Sequence, residues 1–142
     1  MATITEDYVS FETAKLLKEK GFNEPCHATY DTAVTGGKPK FSEYEVLSYF
    51  PYGMKNSDDK YSMVISAPTL QMAMKWLRKK YYCHIIIDYT FTADANLSEE
   101  YVSYCYNVEN AKTYIQYTHN EWYNTYEEAC ESAIKYCLEN LI

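Results

Sequence analysis

Residues 101–130 read YVSYCYNVENAKTYIQYTHNEWYNTYEEAC. The first part of this stretch is dense in tyrosine and alternates like a strand. The last part carries a helix start. Where one ends and the other begins decides the fold. Tyr101–Val108 and Ala111–His119 read as the two arms of a hairpin about Glu109-Asn110. With a two-residue turn there, Val108 faces Ala111, Tyr106 faces Thr113, Tyr104 faces Ile115 and Val102 faces Tyr117. That face is largely apolar, and the opposite one is mixed, as expected of a sheet with one side in water. A different turn length would change these pairings.

Thr125 and Glu128 stand three apart, directly before an apolar-periodic segment. This is the pattern of a capping box. The Thr125 hydroxyl accepts from the N–H of Glu128, and the Glu128 carboxylate reaches back to the N–H of Thr125. Tyr126, Cys130, Ala133, Cys137 and Leu141 then step along one face, with Ile134 and Leu138 beside them. "NTYEEAC" is therefore read as a helix start in preference to a catalytic constellation. Glu127 and Glu131 suit the positive end of that helix.

Two further helices follow from similar signals. Ser10 caps "SFETAKLLKEKGF", Gly21 sits at the left-handed C′ position, and Phe22 packs back on Leu17. Pro68-Thr69 opens a helix running to Tyr81, with Leu70, Ala73, Met74, Leu77 and Tyr81 on one stripe. Between these helices, "CHATYDTAVTGGKPKFSEYEVLSYF" reads as two strands turning at Gly36-Gly37, and "YSMVIS" as a short strand. "PYGMKNSDDK" and "ADANLSEE" read as loops. "CHIIIDYTF" is β-branched and apolar on consecutive positions, so it is expected to be a central strand covered on at least one face. The expected fold is a single α+β domain over residues 1–142, an antiparallel-rich sheet of about five or six strands packed against three helices.

Bulk properties narrow the function by exclusion. A net charge of −7 argues against nucleic acid, since phosphate contacts need a basic patch. The one basic run, Lys75 to Lys80, suits the C-terminal end of a helix. The longest purely apolar run, Ile85-Ile86-Ile87, is far too short to cross a bilayer. Cys26, Cys83, Cys105, Cys130 and Cys137 are odd in number and form no CxxC pair, and no leader of basic then apolar residues precedes them. Reduced thiols in a cytoplasmic protein are expected.

Chemistry-bearing motifs are scarce. His27, His84 and His119 lie in no HxH, HExxH or Cys-x-x-His arrangement. Cys83 and His84 are adjacent on a strand and so point to opposite faces. Cys130 and Cys137 read as small core residues. Asp88, after three isoleucines, reads as a satisfied strand-end aspartate. Gly36-Gly37-Lys38 lacks the context of a phosphate loop. No catalytic residue, metal ligand or cofactor is assigned, and a non-enzymatic protein is expected.

Tyrosine is the compositional exception, 17 of 142 residues. Phenol rings pack like hydrophobes while their hydroxyls seek partners or water, which suits interfaces. Tyr44, Tyr49, Tyr52, Tyr101, Tyr114, Trp122 and Tyr123 are the candidate binding residues. The expected partner is a protein or a second copy of this chain. The alternative is a small planar, nucleotide-like ligand stacked on these rings.

"APTLQMAMKWLRKKY" with its following "HIII", the C-terminal "YEEACESAIKYCLENLI" and the N-terminal "YVSFETAKLLKEKGFNEPC" resemble a family of small uncharacterised proteins from gut Bacteroides and their phages or mobile elements. These are helix-packing strings and carry no chemistry. The resemblance implies a bacterial cytoplasm and a prophage or mobile-element gene, with no catalytic residue to carry over.

Overall fold

A computed structural model describes residues 3–32, 38–43, 52–60, 63–92 and 101–142. Tyr44, Tyr49 and the Gly36-Gly37 turn lie outside the described residues, as does the side chain of Tyr101. The elements are α1 (Phe11–Glu19), β1 (Ala28–Asp31), β2 (Lys40–Glu43), β3 (Val64–Ser66), α2 (Leu70–Tyr81), β4 (Cys83–Thr92), β5 (Tyr101–Asn110), β6 (Gln116–Thr118) and α3 (Tyr126–Asn140), with a 3-10 turn at Asn56–Asp58.

The α+β class and the three helices are as expected, but the single sheet is not. There are two three-stranded antiparallel sheets, in the orders β2-β1-β3 and β4-β5-β6. The chain divides into two compact units, residues 1–73 and 74–142, with α2 running across the boundary.

In the first unit α1 has the ends its sequence specifies. Ser10 Oγ accepts from the N–H of Thr13 at 3.2 Å. At the other end Gly21 takes φ 90°. The Phe22 N–H then donates to the Leu17 carbonyl and the Gly21 N–H to that of Lys18, which is the paired-bond Schellman closure. Phe22 and Leu17 are both buried. Gly21→Ala should cost about 1 kcal/mol, the penalty of a Cβ in left-handed backbone, read as a shift in the urea midpoint at unchanged slope. β1 pairs with β2 and β3, and Tyr30, Phe41 and Tyr8 pack in series at ring-centroid distances of 5.4 and 5.2 Å.

In the second unit α3 begins as the spacing specifies, with one difference. Thr125 Oγ1 accepts from the N–H of Glu128 at 3.1 Å. The Glu128 carboxylate reaches back one residue further than expected, to the N–H of Asn124 at 3.3 Å. Ala129, Cys130, Ala133, Ile134, Cys137 and Leu138 form the buried face of the helix, packed on β4 and β5.

The hairpin register also differs. Val108 pairs with Tyr117 and Glu109 with Gln116, so Glu109-Asn110 is not the turn. Asn110 still belongs to β5, and its Oδ1 accepts from the N–H groups of Lys112 and Thr113 at 2.9 and 3.0 Å. Tyr114 takes φ 61°, and the Asn110 N–H closes the loop on the Ile115 carbonyl at 2.9 Å. An asparagine that satisfies the turn with its own side chain moves the reversal beyond itself. The slip is an even number of residues, so Val108 and Tyr117 still share the expected face. β4 is a second correction. It pairs only with β5 among the described residues and is an edge strand, not a central one.

Candidate functional site

β4 and β5 pair without a break from Cys83↔Asn110 to Thr92↔Tyr101. Alternation puts Cys83, Ile85, Ile87, Tyr89 and Phe91 on the face that α3 covers, opposite Asn110, Val108, Tyr106, Tyr104 and Val102. At one end this face is closed: Cys83, Ile85, Tyr106 and Val108 are buried. At the other it is bare. Tyr89 is 68% exposed, Phe91 62% and Val102 38%. The geometry explains the difference. A strand of ten residues reaches about 33 Å, whereas a helix of fifteen reaches about 22 Å. Cover begins where the Tyr126 ring meets Tyr104 edge-on at 6.1 Å, and the hairpin continues beyond it.

Under α3 the tyrosines are structural. Tyr106 is buried and lies 4.7 Å from His119, 6.1 Å from Tyr123 and 6.3 Å from Tyr136, centroid to centroid. Burial pushes the Tyr106 phenol well above its usual range, helped by the neighbouring Tyr123. Burial likewise raises Tyr123. Tyr123 also extends the sheet, exchanging backbone hydrogen bonds with Tyr104 at 2.7 and 2.8 Å.

The candidate binding residues therefore separate. Tyr114, 88% exposed, and Trp122, 54% exposed, present their rings to solvent in the second unit. Tyr123 there is half-buried beside Tyr106. Tyr52, 85% exposed, belongs to the first unit. Tyr101 opens β5 opposite Thr92. Tyr89, Phe91 and Val102 were not among the candidate binding residues. The signal available was the continued odd-position apolar pattern after Ile87, with no charge interrupting it.

The other face of the same sheet contributes His84, Ile86, Glu109 and Gln116 to a concavity of about 550 Å³, whose lining also includes Ile85, Asn110 and Tyr114. Glu109 Oε1 accepts from Gln116 Nε2 at 3.3 Å. The lining includes one carboxylate and no ammonium or guanidinium group. Asp88 is exposed on this face, its Oδ2 accepting from Asn107 Nδ2 at 3.4 Å.

None of the five cysteines forms a disulfide. Burial pushes Cys26 up to about 12, and the Glu24 carboxylate adds to this. Cys137 is pushed far up by its hydrogen bond to Cys83 and by burial. As the acceptor in that pair Cys83 is drawn below the ordinary thiol range, while burial opposes the shift. Cys105 alone is partly exposed, with a thiol raised by desolvation and then by Asp88. Maleimide applied to the native protein should label Cys105 first, because access limits the other four. Equal labelling of Cys130 or Cys137 without denaturant would contradict the packing of α3.

Among the described residues no three of His, Cys, Asp and Glu stand together as metal ligands, and no helix is long and apolar enough to cross a membrane. No family model, no curated protein and no solved structure matches this chain.

Proposed function

We propose that this chain is a non-enzymatic interaction module that binds a protein partner, or a second copy of itself, through the bare end of the β4–β5 hairpin. The observation that supports this reading is the exposure of Tyr89, Phe91 and Val102 together, on a face that elsewhere is core. Contiguous exposed apolar surface of this kind favours association, and aromatic anchors dominate the energy of protein interfaces. The proposed setting is a bacterial cytoplasm and a mobile-element gene, on the resemblance of the helical strings. Cysteines joined by no disulfide fit a reducing compartment.

The test is position-specific cross-linking in cells. With p-benzoylphenylalanine in place of Phe91, the expected result is one discrete protein adduct, weakened by Tyr89→Asp. The same probe at the exposed Lys15 serves as control. No adduct beyond that control would overturn the reading.

The concavity supports a second reading, a small planar ligand held against Ile86 with Tyr114 available to stack. A module of that kind would sequester a nucleotide-like signal in conflict between phage and host. The lining holds no lysine or arginine to meet a phosphate, so the nucleoside portion is what it suits. A nucleoside at 100 times its dissociation constant should stabilise the protein by about 2.7 kcal/mol, and Tyr114→Ala should abolish the effect.

A further inference from the structure

β4 is the longest exposed edge among the described strands. It contains no proline, no lysine and no bulge, the devices that usually keep an edge from pairing. Its free hydrogen-bonding groups can be assigned. Tyr104 exchanges both backbone bonds with Tyr123, and Asn110 donates to Ile115, so even-numbered residues of β5 point toward β6. Odd-numbered residues of β5 then point toward β4, where their partners are His84, Ile86, Asp88 and Thr90. The N–H and C=O groups of Cys83, Ile85, Ile87 and Tyr89 are thus directed outward along the open edge.

The sequence of this edge is complementary to itself about Ile86. His84 lies two residues before Ile86 and Asp88 two after; Ile85 and Ile87 flank it. We infer that two copies of this chain pair antiparallel through β4, with the two Ile86 residues opposite one another at the twofold axis, making one continuous six-stranded sheet. This rests on the reading of the chain as an interaction module and names the partner.

Three features favour that register. Each His84 falls opposite the partner's Asp88, twice by symmetry, on the face where both are exposed. Ile85 falls opposite the partner's Ile87, and both carry outward-directed backbone groups, so they form the hydrogen-bonded pairs. His84 and the partner's Asp88 then form a non-hydrogen-bonded pair, in which side chains approach more closely. The neighbouring registers are poorer. A twofold at Ile87 sets Asp88 against an isoleucine, and a twofold at Asp88 sets the two carboxylates against each other. In the favoured register Tyr89 comes beside the partner's Cys83, which covers part of the bare aromatic end.

Sedimentation velocity over a concentration series tests this. Wild type is expected to dimerise reversibly. His84→Asp and Asp88→His should each weaken the dimer at least about tenfold, since each places like groups opposite one another. The double swap His84→Asp/Asp88→His should restore it, and so should mixing the two single variants. Both positions are exposed, and far-UV circular dichroism establishes that each variant is folded. A wild type monomeric up to millimolar concentration overturns the inference, as does a dimer indifferent to the single charge changes. If wild type is monomeric yet cross-linking at position 91 captures a different protein, this register falls while the interaction reading stands.

Discussion

Asn56→Ala should remove about 3 kcal/mol from the stability of the first unit. The Asn56 side chain is buried and bonds at both ends. Its Nδ2 donates to the Phe22 carbonyl at 2.8 Å, just past the end of α1, and its Oδ1 accepts from the Ser66 N–H at 2.9 Å in β3. Phe22 and Ser66 are themselves buried. Truncation strands one acceptor and one donor away from water, and each costs about 1–3 kcal/mol. Asn56→Asp should do no better, because a carboxylate cannot donate to the Phe22 carbonyl. Urea unfolding followed by circular dichroism measures both. A loss below about 1 kcal/mol for Asn56→Ala would mean that this bridge does not hold the 3-10 turn against α1 and β3.

Ile134→Ala should cost about 3–4 kcal/mol. The side chain is fully buried in the middle of the α3 face, between Cys130 and Leu138, where the helix lies on β4 and β5. Removing three carbons there loses transfer free energy and leaves a cavity that the sheet cannot close. Tyr126→Ala, at the exposed start of the same helix, should cost far less. Both tryptophans, Trp76 and Trp122, belong to residues 74–142, so fluorescence reports on this unit. Equal effects of the two substitutions would contradict a helix whose cover ends near Tyr126.

The helices were legible because their signals are local. Ser10, Gly21, Thr69 and Thr125 act within a turn of where they stand, and each does so in the structure: even the Thr69 hydroxyl caps α2, accepting from the Met72 N–H at 3.1 Å. The sheet was less legible because strand pairing joins residues far apart in the chain. Ile85-Ile86-Ile87 reads the same whether both edges of the strand are paired or one awaits a partner. The β5–β6 register was misread because Asn110 supplies its own turn bonds from within the strand. The candidate site was legible only in kind. Excess aromatic residues pointed to a surface, and Tyr114 and Trp122 are indeed exposed. Which aromatics form the bare end depends on where α3 stops covering the hairpin, and no residue of β4 records that length. Tyr123 shows the converse: strand-like and aromatic, it is used to extend the sheet.

The most direct test of β4 as an open edge, and of a partner laid along it, is residue-resolved amide exchange at two protein concentrations. At low concentration Ile86 and Asp88, bonded to β5, should exchange slowly, while Ile85, Ile87 and Tyr89 exchange fast. On concentrating, protection should appear at Cys83, Ile85, Ile87 and Tyr89 and nowhere else in β4. Uniform slow exchange along β4 at the lowest concentration, or odd positions that stay unprotected at the highest, would contradict the account.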